Sequence, residues 1–190
     1  MQPNAHDSTK DTRRVDLLNK AGELLAMRPT ASLADIATYA GISKATLHRY
    51  FANRDDLMLA LGYRALELVA RAFADAEIET GSVIDALTRV SETLVPLGDK
   101  LHLLWNESLY ALHPDFAAAE QATQEPMLRL IKRGQANSEL RDDLSAEWLM
   151  QLIDYALFAV WVSVYEGYAA RRDAARMLLT TLLDGIASRS

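Results

Sequence analysis

From Thr12 to Met27, Val15, Leu18, Ala21 and Leu25, with Leu17 and Leu24 beside them, return at intervals of three and four. That spacing predicts an amphipathic helix, which Arg28-Pro29 ends. Leu33, Ile36, Ala37 and Ala40 form the buried stripe of a second, short helix. Ser32 offers it an N-cap oxygen, and Asp35 three residues on makes a capping-box-like pair. Gly41 follows as a left-handed C-cap, and Ser43 caps the next helix after a three-residue turn. The third helix, 43–51, sets Leu47 and Phe51 on one face. Opposite them lie Ala45 and Arg49, flanked by Thr46 and His48, with Lys44 at the start. Two short helices joined this tightly predict a helix-turn-helix.

Asn53 reads as the N-cap of a long fourth helix, with Asp55 and Asp56 in its first turn, where the helix dipole favours acids. It runs to about Ile78, with Leu57, Leu61, Ala65, Leu68, Ala72 and Phe73 on its inner face, until Thr80-Gly81 breaks it. Further helices are predicted over 82–95, ended by Pro96; 99–112, ended by His113-Pro114; 115–136, bent or interrupted near Pro126; 145–167; and 171–187. The expectation is an all-α chain of about nine helices: a flexible polar arm (1–11), a three-helix head (12–56) and a larger helical body (57–190). The helix over 145–167 is apolar on more than one face, through Leu149, Leu152, Ile153, Ala156, Leu157, Val160, Trp161 and Val164. The last helix adds a stripe of Ala175, Leu178, Leu179, Leu182, Gly185 and Ile186. These helices suit either a subunit interface or the centre of one subunit, and periodicity does not separate the two.

Composition supports helices, since half of the 190 residues are hydrophobic and Gly and Pro number only 8 and 5. No cysteine is present, which excludes disulfides, thiolate zinc sites and cysteine nucleophiles and fits the cytosol. The opening MQPNAHDSTKD has no apolar stretch of a secretory signal. The longest nearly unbroken apolar run, Ala156 to Val164, is far short of the roughly 20 residues of a membrane span, so no membrane partner is expected. The net charge of −6 is unevenly divided. Residues 1–55 hold eight Lys/Arg against six acids, and residues 56–190 hold twelve against twenty. A mildly basic head on an acidic body is the form of a polyanion-binding module mounted on an unrelated domain.

The exposed face of the third helix combines a small residue, a hydroxyl, an imidazole and a guanidinium. These are the groups of major-groove readout, where a merely solvated face would mix Glu and Lys. Arg54 places a cation at a helix N-terminus, where the dipole disfavours it; a phosphate partner or an arginine pointing into water both account for this. In the body, His102, Asn106, Tyr110 and His113 recur at four, four and three, with Trp105 beside them. Such a stripe suits an amphiphilic or aromatic ligand, with Phe116, Tyr155 and Phe158 as apolar walls and Leu61, Ala65 and Leu68 on the fourth helix facing it. The four histidines are dispersed without metal-ligand spacing, and no metal or cofactor is expected. Glu107 with His102 or His113 is the best catalytic pairing available. No nucleophile motif, phosphate loop or carboxylate pair supports it, and no catalytic residue is assigned.

The stretch Ser32-Leu-Ala-Asp-Ile-Ala-Thr-Tyr-Ala-Gly-Ile-Ser-Lys-Ala-Thr-Leu-His-Arg-Tyr-Phe-Ala-Asn-Arg-Asp-Asp-Leu57 resembles the DNA-binding signature of TetR-type regulators, with the first helix in the right place before it. The sequence departs from that pattern by exchanging the usual Tyr and His to give His48 and Tyr50. It also carries Arg54 for Lys and has Arg28-Pro29 where a Gly usually precedes the second helix. The resemblance implies that Lys44, Ala45, Thr46 and Arg49 approach base edges while Ser43, Tyr50 and Arg54 hold phosphates; Ser32 and His48 complete the expected DNA-binding set. It implies pairing through a four-helix bundle of the final two helices, which makes Leu149, Leu152, Ile153, Ala156, Val160, Val164, Ala175, Leu178, Leu182, Gly185 and Ile186 the expected interface. Such a protein is a cytoplasmic homodimer on palindromic operator DNA, a repressor released by a small-molecule effector. The alternative is an all-α enzyme or an interaction module with a vestigial DNA-binding head.

Overall fold

The computed structural model describes residues 5–101 and 113–186, with side chains for 12–101 and 113–185. Among them no strand occurs. Eight helices of seven residues or more follow in order: α1 Ala5–Met27, α2 Leu33–Ala40, α3 Lys44–Tyr50, α4 Arg54–Asp75, α5 Val83–Leu94, α6 Pro114–Ala136, α7 Ala146–Tyr165 and α8 Arg171–Ile186. A 3-10 turn, Val95–Leu97, and one helical turn, Gly98–Leu101, open the stretch where the spacing predicts a helix over 99–112. The rest of that stretch lies outside the described residues, and so do His102, Trp105, Asn106, Glu107 and Tyr110.

Local chemistry fixes most helix ends. Ser32, Ser43, Ser82 and Ser145 each stand in extended backbone before a helix, and each side chain accepts the N–H three residues on. Gly41 closes α2 in the left-handed region at φ 72°, and the Ile42 N–H reaches back to the Ala37 carbonyl. Two boundaries differ from those the sequence predicts. The helix α1 starts at Ala5, so the supposed arm is helical from there; a polar turn has no apolar stripe to betray it. At the other end of the first half, α4 stops at Asp75 and not at Ile78. Glu77 turns left-handed (φ 45°) and the Ile78 N–H bonds the Phe73 carbonyl, so Ile78 is buried as the apolar residue of a helix-stop motif. Finally, Pro126 sits inside an unbroken α6.

The chain forms two compact units. One holds the residues up to Ala65 and the stretch from Asp99 to Ala117; the other holds Leu66–Gly98 and the residues from Ala118 on. In the first unit, Leu18, Ala21 and Leu25 of α1, Ile36 and Ala37 of α2, Leu47 and Phe51 at α3, and Leu57 and Leu61 of α4 make one buried cluster. In the second unit, α5 buries Val83, Ala86, Leu87, Val90 and Leu94, and α8 packs against α5 and α7 through Ala174, Leu178 and Leu182.

The helix α7 has the length and composition to cross a bilayer, with a mean hydropathy of 1.4 over its best window, although no unbroken apolar run betrays it. Only 22% of that window is buried within the subunit. Leu149, Ile153 and Val160 form its packed face, while Trp148, Leu152 and Tyr155 stand 54%, 37% and 59% exposed and Ala159 is exposed beside them. The spacing of these four, at intervals of four, three and four, makes one outward apolar stripe.

Candidate nucleic-acid interface

The helix α3 is seven residues long, too short to hold itself in water, and its surroundings keep it formed. At its start the Ser43 hydroxyl accepts the Thr46 N–H at 3.1 Å and pairs with the Thr46 hydroxyl at 2.9 Å. Leu47 and Phe51, 1% and 0% exposed, root it in the head. Lys44, Ala45, His48 and Arg49 are left exposed along its other side. Neither Lys44 nor Arg49 is in an ion pair among the described residues. Two unpaired cations, a methyl group and an imidazole on one face can meet phosphate oxygens, base acceptors and a thymine methyl.

Other expected contact residues are placed differently. The Ser32 hydroxyl is committed to a capping box: it accepts the Asp35 N–H at 3.2 Å and donates to the Asp35 carboxylate at 2.6 Å, and that carboxylate also takes the Ser32 N–H at 2.8 Å. The Ser32 hydroxyl, then its N–H, then the Arg28 charge hold the Asp35 carboxyl below its usual range. His48 turns Nδ1 to the Ala52 carbonyl at 3.2 Å. Tyr50 is half-buried, packed on the head core with its ring 6.4 Å from that of Phe51. The exchange of His and Tyr therefore puts the ring with the larger apolar body against the core and the imidazole outside.

Arg54 has partners within the chain. Its guanidinium donates to the carbonyl of Ala31 and, at 2.9 Å, to that of Pro29. Helical spacing could not reveal this, because the acceptors lie more than twenty residues back in the chain. The Arg fork instead closes the turn that Pro29 opens between α1 and α2.

The expected ligand residues do not form one described group. Leu61, Ala65 and Phe116 belong to the first unit and are buried, with the Phe116 ring edge-on to Tyr63 at 5.1 Å. Leu68 and Phe158 in the second unit are half-buried, and Tyr155 lies on the outward stripe of α7. An apolar pattern marks a core wall and a pocket wall alike, which is why Leu61 and Phe116 fall within the expected set. In the same way Leu149, Ile153, Val160, Leu178 and Leu182, expected at a subunit interface, are already buried inside the subunit. Leu152 and Gly185 are exposed, Ala156, Val164 and Ala175 are half-buried, and the Ile186 side chain lies outside the described residues.

Two groups are not among the residues the sequence singles out. Asp154 is half-buried on α7; burial first, and the nearby Glu120 carboxylate second, raise its carboxyl to about 7. It is the one charged side chain between Glu147 and Glu166, a signal the sequence does carry. Arg14 lies with its guanidinium 5.4 Å from the centre of the Phe51 ring. Its place four residues before Leu18, on the packed stripe of α1, is equally readable.

Residues 17–61 match the family model for bacterial regulatory proteins of the tetR family. The HTH-type transcriptional repressor LfrR of Mycolicibacterium smegmatis is 29% identical over 190 residues, covering 97% of this chain and 95% of that protein. The HTH-type transcriptional regulator NfxB of Pseudomonas aeruginosa is 29% identical over 168 residues, covering 83% and 86%. Among solved structures, the TetR-like regulator LfrR from Mycobacterium smegmatis in complex with proflavine superposes with a TM-score of 0.82 at 27% identity, covering 95% of this chain and 99% of that one. A capped and exposed helix in a tight helix pair, the family match across it and likeness to LfrR over nearly the whole length lead to one conclusion: residues 17–61 are a DNA-binding head of the tetR type, and the chain is a DNA-binding transcriptional regulator of the helix-turn-helix type.

Proposed function

We propose that the protein is a repressor that holds a two-fold operator as a homodimer and leaves it when a small molecule binds the helical body. The observation that carries this reading is the unpaired polar face of α3, with Lys44 and Arg49 free of carboxylates among the described residues, in a chain whose full-length relative LfrR is a repressor with a proflavine complex. One seven-residue helix reaches too few base pairs for a specific site; a two-fold dimer doubles the contacts.

The outward stripe of α7 supports the dimer. Trp148, Leu152, Tyr155 and Ala159 offer apolar surface that a second copy would cover, and the half-buried Ala156 and Val164 on the same helix extend it. The interface proposed is therefore this stripe with Ala175 and Gly185 of α8. A dimer presents its recognition helices one duplex turn apart, about 34 Å. A ligand that favours a mismatched spacing by about 3 kcal/mol lowers operator occupancy roughly a hundredfold. By the same linkage operator DNA lowers ligand affinity equally.

Footprinting on the DNA flanking the gene tests the whole reading, run beside sedimentation of the wild type and of Leu152→Glu. The expected result is a two-fold footprint from a dimeric wild type, and a monomeric Leu152→Glu that keeps its helical spectrum but loses the footprint. A monomeric wild type that gives the same footprint sinks the dimer, and a wild type that binds no duplex sinks the reading entirely.

A further inference from the structure

The head carries eight Lys and Arg in residues 1–55, and the structure sorts them by what they already hold. Lys20 is paired with Asp16 at 3.1 Å and Arg28 with Asp35 at 3.5 Å. Arg54 is committed to the Pro29 and Ala31 carbonyls. The Lys10 side chain lies outside the described residues. Arg13, Arg14, Lys44 and Arg49 are left exposed and without an ion pair among the described residues.

Of these, Arg14 is held in place. It continues the packed stripe of α1, four residues before Leu18 and three before Leu17, both of which are buried. One turn past that last core layer the stripe changes from leucine to arginine. There the guanidinium rests over Phe51, the residue that ends the recognition helix. A cation seated on a ring face keeps its planar edge free for further acceptors, and it loses less freedom on binding than an arginine waving in water. Asp56, nearby in sequence to Phe51, already takes the Ala52 N–H at 2.9 Å and makes no ion pair with Arg14.

We propose that Arg14 is a DNA phosphate contact, supplying from α1 the anion-holding charge at the C-terminal end of the recognition helix that Arg54 does not supply. Arg13, beside it and exposed, adds to the same field. The proposal rests on the DNA-binding reading and adds a residue outside the helix-turn-helix itself. Such a contact tightens binding to every sequence alike, because phosphates carry no base information.

The test is anisotropy titration of a labelled 30-base-pair mixed-sequence duplex from about 50 to 200 mM salt. Arg14→Met keeps the apolar stem over Phe51 and removes the charge; Arg14→Lys keeps the charge. For Arg14→Met the slope of log affinity against log salt is expected to shrink by about 0.9 for each phosphate no longer neutralised, with affinity falling roughly five- to tenfold near 0.1 M salt. Arg14→Lys restores the slope. A misfolded fraction lowers the active concentration and leaves the slope alone, so the slope separates a missing phosphate partner from damage to the fold. Arg54→Lys should leave the slope unchanged, and Arg49→Ala should weaken the protein's own operator by about 10- to 100-fold more than a random duplex. A wild-type slope in Arg14→Met overturns the proposal while leaving the regulator reading standing; a wild type that binds no duplex overturns both.

Discussion

An acid set among apolar neighbours keeps its proton because the charged form is badly solvated there. Asp154 does so on α7: the folded chain releases that proton at about 7, against an ordinary aspartate value of 3.8. Between those values the unfolded chain gives up a proton that the folded chain retains. Stability therefore falls as pH rises from about 4 to 7 and stays lowered above that, by on the order of 2–4 kcal/mol. Asp154→Asn should be nearly flat over the same range and more stable than wild type at pH 8. Urea midpoints at pH 4.5 and 8 decide this, and an equal fall in the variant would assign the pH dependence to another group. At this scale the sequence was legible only in part. The exposed face of α3 followed from helical spacing, since neighbours on a wheel need no tertiary knowledge. The partners of Arg54 did not, because a guanidinium reaches carbonyls that no periodicity connects to it.

Among the elements, helices with a serine before them and an apolar stripe within them were legible to within a residue or two, α2, α3, α5 and α7 included. Boundaries failed where an apolar residue belongs to a stop motif, as Ile78 does, or where a helix runs on without an apolar stripe, as α1 does before Thr12. Packing between elements was the least legible. Gly98 shows why: a Cβ there would overlap the Trp161 indole, so Gly98 and α7 meet backbone to ring. The indole is also stacked between Phe158 and Tyr165, with ring centres 6.3 and 5.6 Å away. Gly98→Ala should drive the ring from that stack, costing about 1–3 kcal/mol and dulling the near-ultraviolet circular dichroism of the aromatic ladder. Full stability with an unchanged aromatic spectrum would mean that the indole is not seated on Gly98.

For the whole molecule, the division into a mildly basic head and an acidic body was visible in a count of charges, and the family in about twenty-five consecutive residues. The proposed dimer surface was not, because a helix apolar on more than one face gives the same pattern whether its second face meets its own subunit or another. The turn between α4 and α5 carries a different consequence. Arg89 donates to the carbonyls of Ala76 at 2.7 Å, Glu77 at 3.2 Å and Thr80 at 3.1 Å. Arg133 donates to those of Ile78 and Gly81, each at 3.4 Å, and to that of Glu79. Six consecutive carbonyls are thus clasped by two arginine forks, although Glu77, Glu79, Thr80 and Gly81 are exposed. A protease must draw its substrate out into an extended strand, and exposed turns are where nicking concentrates. Here the extension has to break both clasps first. A glutamate-specific protease should therefore cut the native protein after Glu166, in a turn that no side chain holds among the described residues, well before it cuts after Glu77 or Glu79. Arg133→Lys, which cannot span three carbonyls, should raise the rate of cleavage after Glu77 and Glu79 relative to that after Glu166, with Arg89 still holding part of the turn. Early cleavage there in the wild type would mean that the clasps do not shield it, and mapping the first fragments by mass tells the two outcomes apart.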